Sequence, residues 1–500
     1  MIRKECFNLV DDPWIPVADV GLVSLRQLFS DPSYRSLGGS PIDKIALTKF
    51  LLAITQTTDT PENDDEWSKL TPEKLASKCL SYLEEKHDLF YLYGDRPFLQ
   101  MPAIRDTKLQ SFGVASPEIS TGNTTILFQS EIEKDLTDGE KALLIVRLMG
   151  CALGGKQTDN LIVLSPGYTG KTKESGKENS GKEGPFIGAR GYLHTFLQGN
   201  SLWETLWLNI LSRQYILGLG SYPEGIGVPP WEEMPSGEDC PIAKRLKSTL
   251  MGRLVPLSRF CLLEKNGLHY SEGIAYPGYK EGGRDPSVSL DSSGKNQKVL
   301  WTDPSKRPWR ILPALLSLVY VGGSKGFECY QIGLLGRARD HVKVIGIWSG
   351  GLSVKGTAGE QKVTGSSDFI ESLLWLPCKD FGTPEFSRLS EEMSQLEILS
   401  KKTFGAIQNY FKDQRIADSK QASQAINLFW QLCEQRFQDL LNACIKPDLL
   451  ESVHFSLSGT SEKIYNMFCP RETSRQIESW AKNRPDTYWY VSKKEKMKNG

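Results

Sequence analysis

In this 500-residue chain the stretch Gly167-Tyr168-Thr169-Gly170-Lys171-Thr172 comes nearest to a set of residues spaced for chemistry. It ends like a P-loop, in which backbone amides and a lysine cradle phosphates. That loop needs another glycine five positions before Gly170, and Ser165 stands there. It also needs a helix N-terminus facing the phosphates, and the Gly-, Lys-, Ser- and Glu-rich run from Lys173 to Gly184 is unsuited to form one. The five histidines, His87, His194, His269, His341 and His454, are dispersed, and none sits in a His-Glu-x-x-His pair. There is no Gly-x-Ser-x-Gly elbow, no protease-type Cys/His signature and no closely spaced His and Asn set of the HNH nuclease kind. The ten cysteines contain no Cys-x-x-Cys pair and read as buried free thiols. The expectation is a protein that is not an enzyme, with no cofactor and no metal. Two alternatives stay open: a nucleotide-dependent enzyme using Gly170-Lys171-Thr172, and a purely structural adaptor.

Charge narrows the partners. Sixty Lys and Arg balance sixty Asp and Glu, so the chain is no simple nucleic-acid coat protein, which would carry a basic excess. The charges are uneven, however. Lys171, Lys173, Lys177 and Lys182 gather in the glycine-rich stretch, Lys493, Lys494, Lys496 and Lys498 lie at the C-terminal end, and Glu62, Asp64, Asp65 and Glu66 read as a solvated acidic loop. Contact with nucleic acid is therefore expected to be local and made within a larger assembly. No run approaches the ~18 apolar residues of a membrane span. The first residues lack the apolar core of a secretory signal, and the expected location is cytoplasmic.

The elements that would position such contacts divide at about residue 380. Phe7 to Val17 reads as a strand, an Asp11-Asp12-Pro13 turn and a second short strand pinned by Trp14. Ile45, Phe50, Leu51 and Ile54 predict a buried helix over 43–56. Thr71-Pro72 predicts the start of a helix burying Leu75, Leu80 and Leu83, and an aromatic strand follows at Phe90. Apolar helices are predicted over 141–148 and 202–211. Short strands and turn clusters then run from 215 to 380, interrupted by one helix over 309–319. After Pro384 the apolar residues recur at three- and four-residue steps: Leu389, Met393, Leu396, Phe404, Ile407 and Phe411, then Ile426, Phe429, Cys433, Phe437, Leu440 and Cys444. With further helices near Ile464 and Ile477, these predict a C-terminal four-helix bundle. The fold class is α+β: a large irregular mixed domain over 1–380, followed by an all-α four-helix bundle over 381–500.

The Phe7–Val17 segment, followed after two helices by Phe90-Tyr-Leu-Tyr-Gly-Asp-Arg-Pro97-Phe98-Leu99-Gln100, resembles the start of the CasA family. Its members are the large subunits of type I-E CRISPR Cascade complexes, which find DNA with a guide RNA. The resemblance covers essentially the whole chain and rests on an ordered set of motifs rather than one signature. It implies a non-catalytic subunit that recognises the protospacer-adjacent motif in duplex DNA, wedges the duplex open to start an R-loop and helps recruit a separate helicase-nuclease. The implied partners are the other Cascade subunits (backbone, small helical and guide-RNA-handle-binding), CRISPR RNA and double-stranded target DNA.

The same resemblance assigns residues. Gly167, Tyr168, Thr169, Gly170 and Lys171 occupy the position of a glycine loop in the DNA minor groove, a narrow groove that suits a backbone without bulky side chains. Thr169 stands where the family loop is expected to be all glycine, which bears on the signature preferred. Lys355, Gly356 and Thr357, after the Gly350-Gly351 pair, match the tip of the DNA wedge, without the glutamine that the family carries there. Read without the family, that pair is a turn closing a strand. Lys280 is the nearest candidate in chain order for a lysine inserted into the groove. Asn123, Phe128 and Gln129 match a loop extended toward the guide-RNA handle, with Asn and Gln reading base edges and Phe stacking.

Overall fold

The two aromatic motifs that lie far apart in the sequence form one structure. In the computed structural model, Cys6–Asn8 and Tyr91–Tyr93 pair antiparallel, with Cys6 opposite Tyr93 and Asn8 opposite Tyr91. Trp14 is fully buried, and its indole Nε1 donates to the Leu9 carbonyl at 3.0 Å. Phe98 stacks on Phe90 at 5.3 Å and meets Phe50 edge-on at 5.8 Å, so both motifs close on one aromatic core. Gln100 explains its own presence after Pro97-Phe98. Its amide donates to Leu92 O at 2.7 Å and accepts from Leu263 N–H at 2.8 Å, tying the motif to the strand Arg259–Glu264.

The structure describes residues 6–115, 135–153, 187–279, 282–292, 294–310, 327–357, 360–363, 365, 368–378, 384–416 and 420–491. It falls into two compact units, Met1–Pro304 with Phe327–Ser372, and Ser305–Gly326 with Leu373–Gly500. Within the first unit the helix Pro41–Thr58 starts from a capping box of Ser40 and Asp43 and is buried along almost its whole length. Its apolar residues are not confined to one stripe, as expected of a helix inside the core. Pro72–Glu85 starts at the predicted Thr71 cap and buries Leu75 and Leu83, with Leu80 half-buried. The helix Asp138–Cys151 covers the stretch predicted over 141–148, and Leu202–Asn209 forms most of the one predicted over 202–211, ending at the extended Ile210.

One expectation is corrected here. The acidic run is not a loop: Asn63 caps a helix over Asp64–Lys69, and Asp64, Asp65 and Glu66 fill its first turn, where the helix dipole favours negative charge. Of the helix expected over 309–319, Pro308–Arg310 forms a 3-10 turn, and the remainder lies outside the described residues.

A three-stranded sheet lies beneath the site described below. Val344–Leu352 is central, antiparallel to His194–Gln198 on one side and neighbouring Phe369–Pro377 on the other. Ser349 faces Thr195 in register, and their hydroxyls bond at 2.9 Å inside the core.

The second unit is helical: Pro384–Asp413, Lys420–Glu434, Phe437–Ile445 and Leu450–Phe468, with the shorter Ser474–Lys482 and Tyr488–Val491. Leu389, Leu396, Ile407, Phe429, Cys433, Phe437, Leu440 and Cys444 of the predicted stripes are buried, while Met393, Phe404, Phe411 and Ile426 are half-buried. The stripe from Ile426 to Cys444 belongs to two helices, broken at 435–436. Residues 305–310 pack into this unit. Trp309 is buried against Phe437 at 4.5 Å, and Arg310 lies over Trp430 at 3.8 Å while pairing with Glu397 at 2.9 Å. Among the described residues no helix is long and apolar enough to cross a membrane.

Candidate nucleic-acid interface

The central strand ends in a hairpin. Lys355–Thr357 pairs antiparallel with Glu360–Lys362, in the register Lys355 to Lys362, Gly356 to Gln361 and Thr357 to Glu360. The predicted wedge residues thus form the first strand of this hairpin. The preceding Gly350-Gly351 pair is not a turn, as its composition alone implied, but lies inside Val344–Leu352. Glycine is required there by close approach. A Cβ at Gly350 would come within 2.7 Å of the Trp348 ring, and one at Gly351 within 2.5 Å of the Tyr192 carbonyl. Lys355 and Gly356 are exposed.

The hairpin rises from the turn Gly188–Tyr192. Val354 N–H donates to Arg190 O at 3.2 Å, and the buried Gln361 donates through Nε2 to Gly188 O at 2.6 Å. Arg190 is exposed, so this bond sets a second cation beside the Lys355 strand. Tyr192 stacks on Trp301 at 5.1 Å and meets Tyr279 at 5.2 Å. Tyr279 immediately precedes Lys280. Its hydroxyl accepts from Asp285 N–H at 3.2 Å, and burial followed by the Asp285 charge pushes its phenol well above the usual range.

Asp285 is the polar centre beneath this platform. One carboxylate oxygen meets Lys49 Nζ at 2.5 Å, and the other accepts from the Ser287 amide at 3.0 Å and hydroxyl at 2.7 Å. The Ser287 hydroxyl lies 2.8 Å from His194 Nδ1 on the central sheet. Burial opposes the Asp285 charge, but Lys49 foremost, then His194 and Ser287, hold its carboxyl down at about 2. This network joins the helix Pro41–Thr58, the segment after Tyr279 and the sheet.

Of the residues assigned from sequence, Lys355, Gly356 and Thr357 are described. Gly167, Tyr168, Thr169, Gly170, Lys171, Lys280, Asn123, Phe128 and Gln129 lie outside the described residues. The described flanks of three of these elements nevertheless meet: the chain after the glycine stretch at Gly188–Tyr192, Tyr279 before Lys280, and the hairpin. Sequence reading missed Arg190, Gln361 and the Tyr192–Trp301–Tyr279 platform. Their only signal was the local density of aromatic and glycine residues.

The histidines have structural partners: His87 with Asp11 at 2.7 Å, His194 as above, His269 with Thr107 O at 2.8 Å, His341 against Trp67 at 5.2 Å and His454 with Glu392 at 2.6 Å. All ten cysteines are free thiols, and eight are buried. Among the described residues no group of three or more His, Cys, Asp or Glu is arranged to hold a metal.

The helical unit carries a second surface of interest. Arg471 and Arg484 both lie over Trp480, at 4.7 and 5.1 Å, and Lys402 lies over Trp489 at 4.6 Å. Tyr488 beside it is 77% exposed. Residues 471–500 hold eight Lys and Arg against four Asp and Glu in a chain of zero net charge. Alternating cations and aromatic faces suit single-stranded nucleic acid, whose phosphates and bases they can hold together.

The sequence profile described as CRISPR-associated protein Cse1 matches residues 8–463. A curated relative, the CRISPR-associated protein CasA/Cse1 of Thermus thermophilus, is 27% identical over 341 residues, which cover 62% of this chain and 60% of that protein. The match thus spans about three fifths of the relative's length. Solved structures of similar fold include CasA from Thermus thermophilus (19% identity, TM-score 0.70, covering 98% of this chain and 99% of that one). Thermobifida fusca Cse1 is similar at 17% identity and TM-score 0.71, covering 97% and 98%. A chain of a CRISPR RNA-guided surveillance complex is similar at 14% identity and TM-score 0.67, covering 96% and 99%.

Proposed function

This chain belongs to the Cse1 family of CRISPR-associated proteins, and on that premise we propose that it is the non-catalytic large subunit of a type I-E Cascade complex. It reads the protospacer-adjacent motif in duplex DNA, wedges the duplex open beside it and leaves the remaining sequence to guide-RNA pairing, a division of labour seen in RNA-guided effectors. The observation that supports this most is the meeting of three flanks, from the glycine stretch, Lys280 and the hairpin, on the Tyr192–Trp301–Tyr279 platform. In this reading Gly167, Tyr168, Thr169, Gly170 and Lys171 lie in the minor groove and Lys280 enters it nearby. Lys355, Gly356 and Thr357 push between base pairs, and Asn123, Phe128 and Gln129 meet the guide-RNA handle. The partners are the backbone, small helical and handle-binding subunits, CRISPR RNA, double-stranded target DNA and the helicase-nuclease.

The hairpin test separates capture from opening. Replacing Lys355-Gly356-Thr357 with alanines should leave initial duplex binding intact and slow R-loop formation, because unstacking is the step a wedge serves. Reconstituted complexes would be assayed by filter binding for capture and by permanganate footprinting for opened bases. Normal opening in the alanine variant would remove the hairpin from the mechanism.

The helical unit is assigned to the small helical subunit and the displaced strand, through the Arg471–Trp480–Arg484 surface. Reversing both charges (Arg471→Glu with Arg484→Glu) should spare signature recognition and weaken retention of the displaced strand. The salt dependence of that retention should also become shallower, by about 0.7 in log–log slope per lost phosphate contact. An unchanged slope would take the displaced strand off this surface.

A further inference from the structure

The hairpin contains a glutamine, but it points inward. In the antiparallel register Gly356 lies opposite Gln361, and alternation along the strands sends Gln361 to the face opposite that of Lys355. Lys355 is exposed, whereas Gln361 is only 5% exposed and donates an amide proton to Gly188 O at 2.6 Å. Gln361 therefore faces the protein and not a DNA partner.

What it grips is tightly fixed. Gly188 has φ +69°, and a Cβ there would come within 2.6 Å of the Tyr192 ring and 2.7 Å of Trp301. Gly191 has φ +84°, and a Cβ there would overlap the Leu352 carbonyl at the foot of the hairpin. Both backbones adopt the left-handed conformation that favours glycine and are pressed between an aromatic stack and the central strand. Beyond this foot, Val354 bonds to Arg190 O and Ser353 N–H to Asp368 O at 2.8 Å, which secure the strands where they enter the hairpin. Gln361 secures the outer part of the hairpin to the Gly188–Tyr192 turn.

We infer that Gln361 is the positioning residue of the opening element: it holds the hairpin rigid on the Gly188–Tyr192 turn so that its outer face can act on base pairs. The inference rests on the reading of the hairpin as a wedge. Unstacking a base step is unfavourable and must be offset by new protein contacts. A hairpin free to pivot cannot supply them in full, because ordering it on contact with DNA would consume part of their energy.

The test uses Gln361→Leu, which keeps the bulk and removes the donor, and Gln361→Glu, whose carboxyl can donate when protonated and not when ionised. In the free full-length chain, hydrogen exchange in peptides spanning 353–363 should quicken in Gln361→Leu while 344–350 stays protected. In reconstituted complexes, capture of marked duplex should be unchanged and opening should slow roughly 2- to 12-fold, the range one intramolecular hydrogen bond supports. Gln361→Glu should open more nearly like the parent at pH 5.5 than at pH 8. Unchanged exchange over 353–363 would overturn the inference and leave the wedge reading standing. Quickened exchange with normal opening would overturn it as well. If the Lys355-Gly356-Thr357 alanine variant also opens normally in that case, the wedge reading itself has failed.

Discussion

Lys49→Met is expected to destabilise the unit built on Met1–Pro304 by about 3–5 kcal/mol, the usual cost of removing one partner of a buried ion pair. The two side chains are 4% and 5% exposed, with Nζ and Oδ2 2.5 Å apart. Without the ammonium, Asp285 keeps its Ser287 bonds but must hold its charge in an apolar interior or take up a proton. The sign with pH follows from the same geometry. Burial alone would raise the Asp285 carboxyl, yet Lys49 and its neighbours hold it at about 2, below the ~3.9 of an unfolded chain. The pair's contribution is therefore fully present above about pH 4 and is lost as pH falls toward about 2. Urea unfolding at pH 7, with thermal midpoints taken from pH 2.5 to 7, measures both effects. Combining Lys49→Met with Asp285→Asn, which removes the charge but keeps the Oδ1 acceptor for the Ser287 amide and hydroxyl, should recover part of the loss, because no charge is then stranded. A Lys49→Met chain as stable as the parent at pH 7 would mean that the pair does not hold the unit together.

Gly167→Val or Gly170→Val is expected to weaken capture of marked target DNA about 5- to 150-fold, from ~1–3 kcal/mol per disrupted contact. The minor groove is about 6 Å wide, and a β-branched side chain on a backbone lying along its floor would strike the groove walls. Complex assembly should survive, since in this reading the loop meets DNA rather than another subunit. The measurement is equilibrium binding of reconstituted complexes to duplexes with and without the signature. Loss on both duplexes alike would point to a general binding defect, and full affinity on the marked duplex would remove this loop from the groove.

What could be read from the sequence was whatever depends on near neighbours. Thr71-Pro72 caps its helix as expected, and the stripe through Leu389, Leu396 and Ile407 faces inward. Both follow from contacts within a few residues of the signal. The break at 435–436 was invisible because Cys433 and Phe437, four apart, continue the stripe straight through it. Gly350-Gly351 looked like a turn because much of its reason for being glycine lies in the Tyr192 and Ile370 carbonyls, which no local rule brings near. Gln361 was passed over for the same reason: only the hairpin register shows which face it takes. Trp309 follows the strand-rich part of the chain, yet its partners are Trp430 and Phe437.

The placement of Trp309 has a kinetic side. A ribosome delivers the chain N-terminus first at ~5–20 residues per second, so Trp309 emerges on the order of ten seconds before the Trp430 and Phe437 rings that cover it. During that interval the Trp309 ring lacks the rings that cover it, and the flanking Arg307 and Arg310 lack their carboxylates, Glu434 and Glu397, which are still to be synthesised. A message truncated between these points would make that state permanent, leaving Trp309 without Trp430 and Phe437 to cover it.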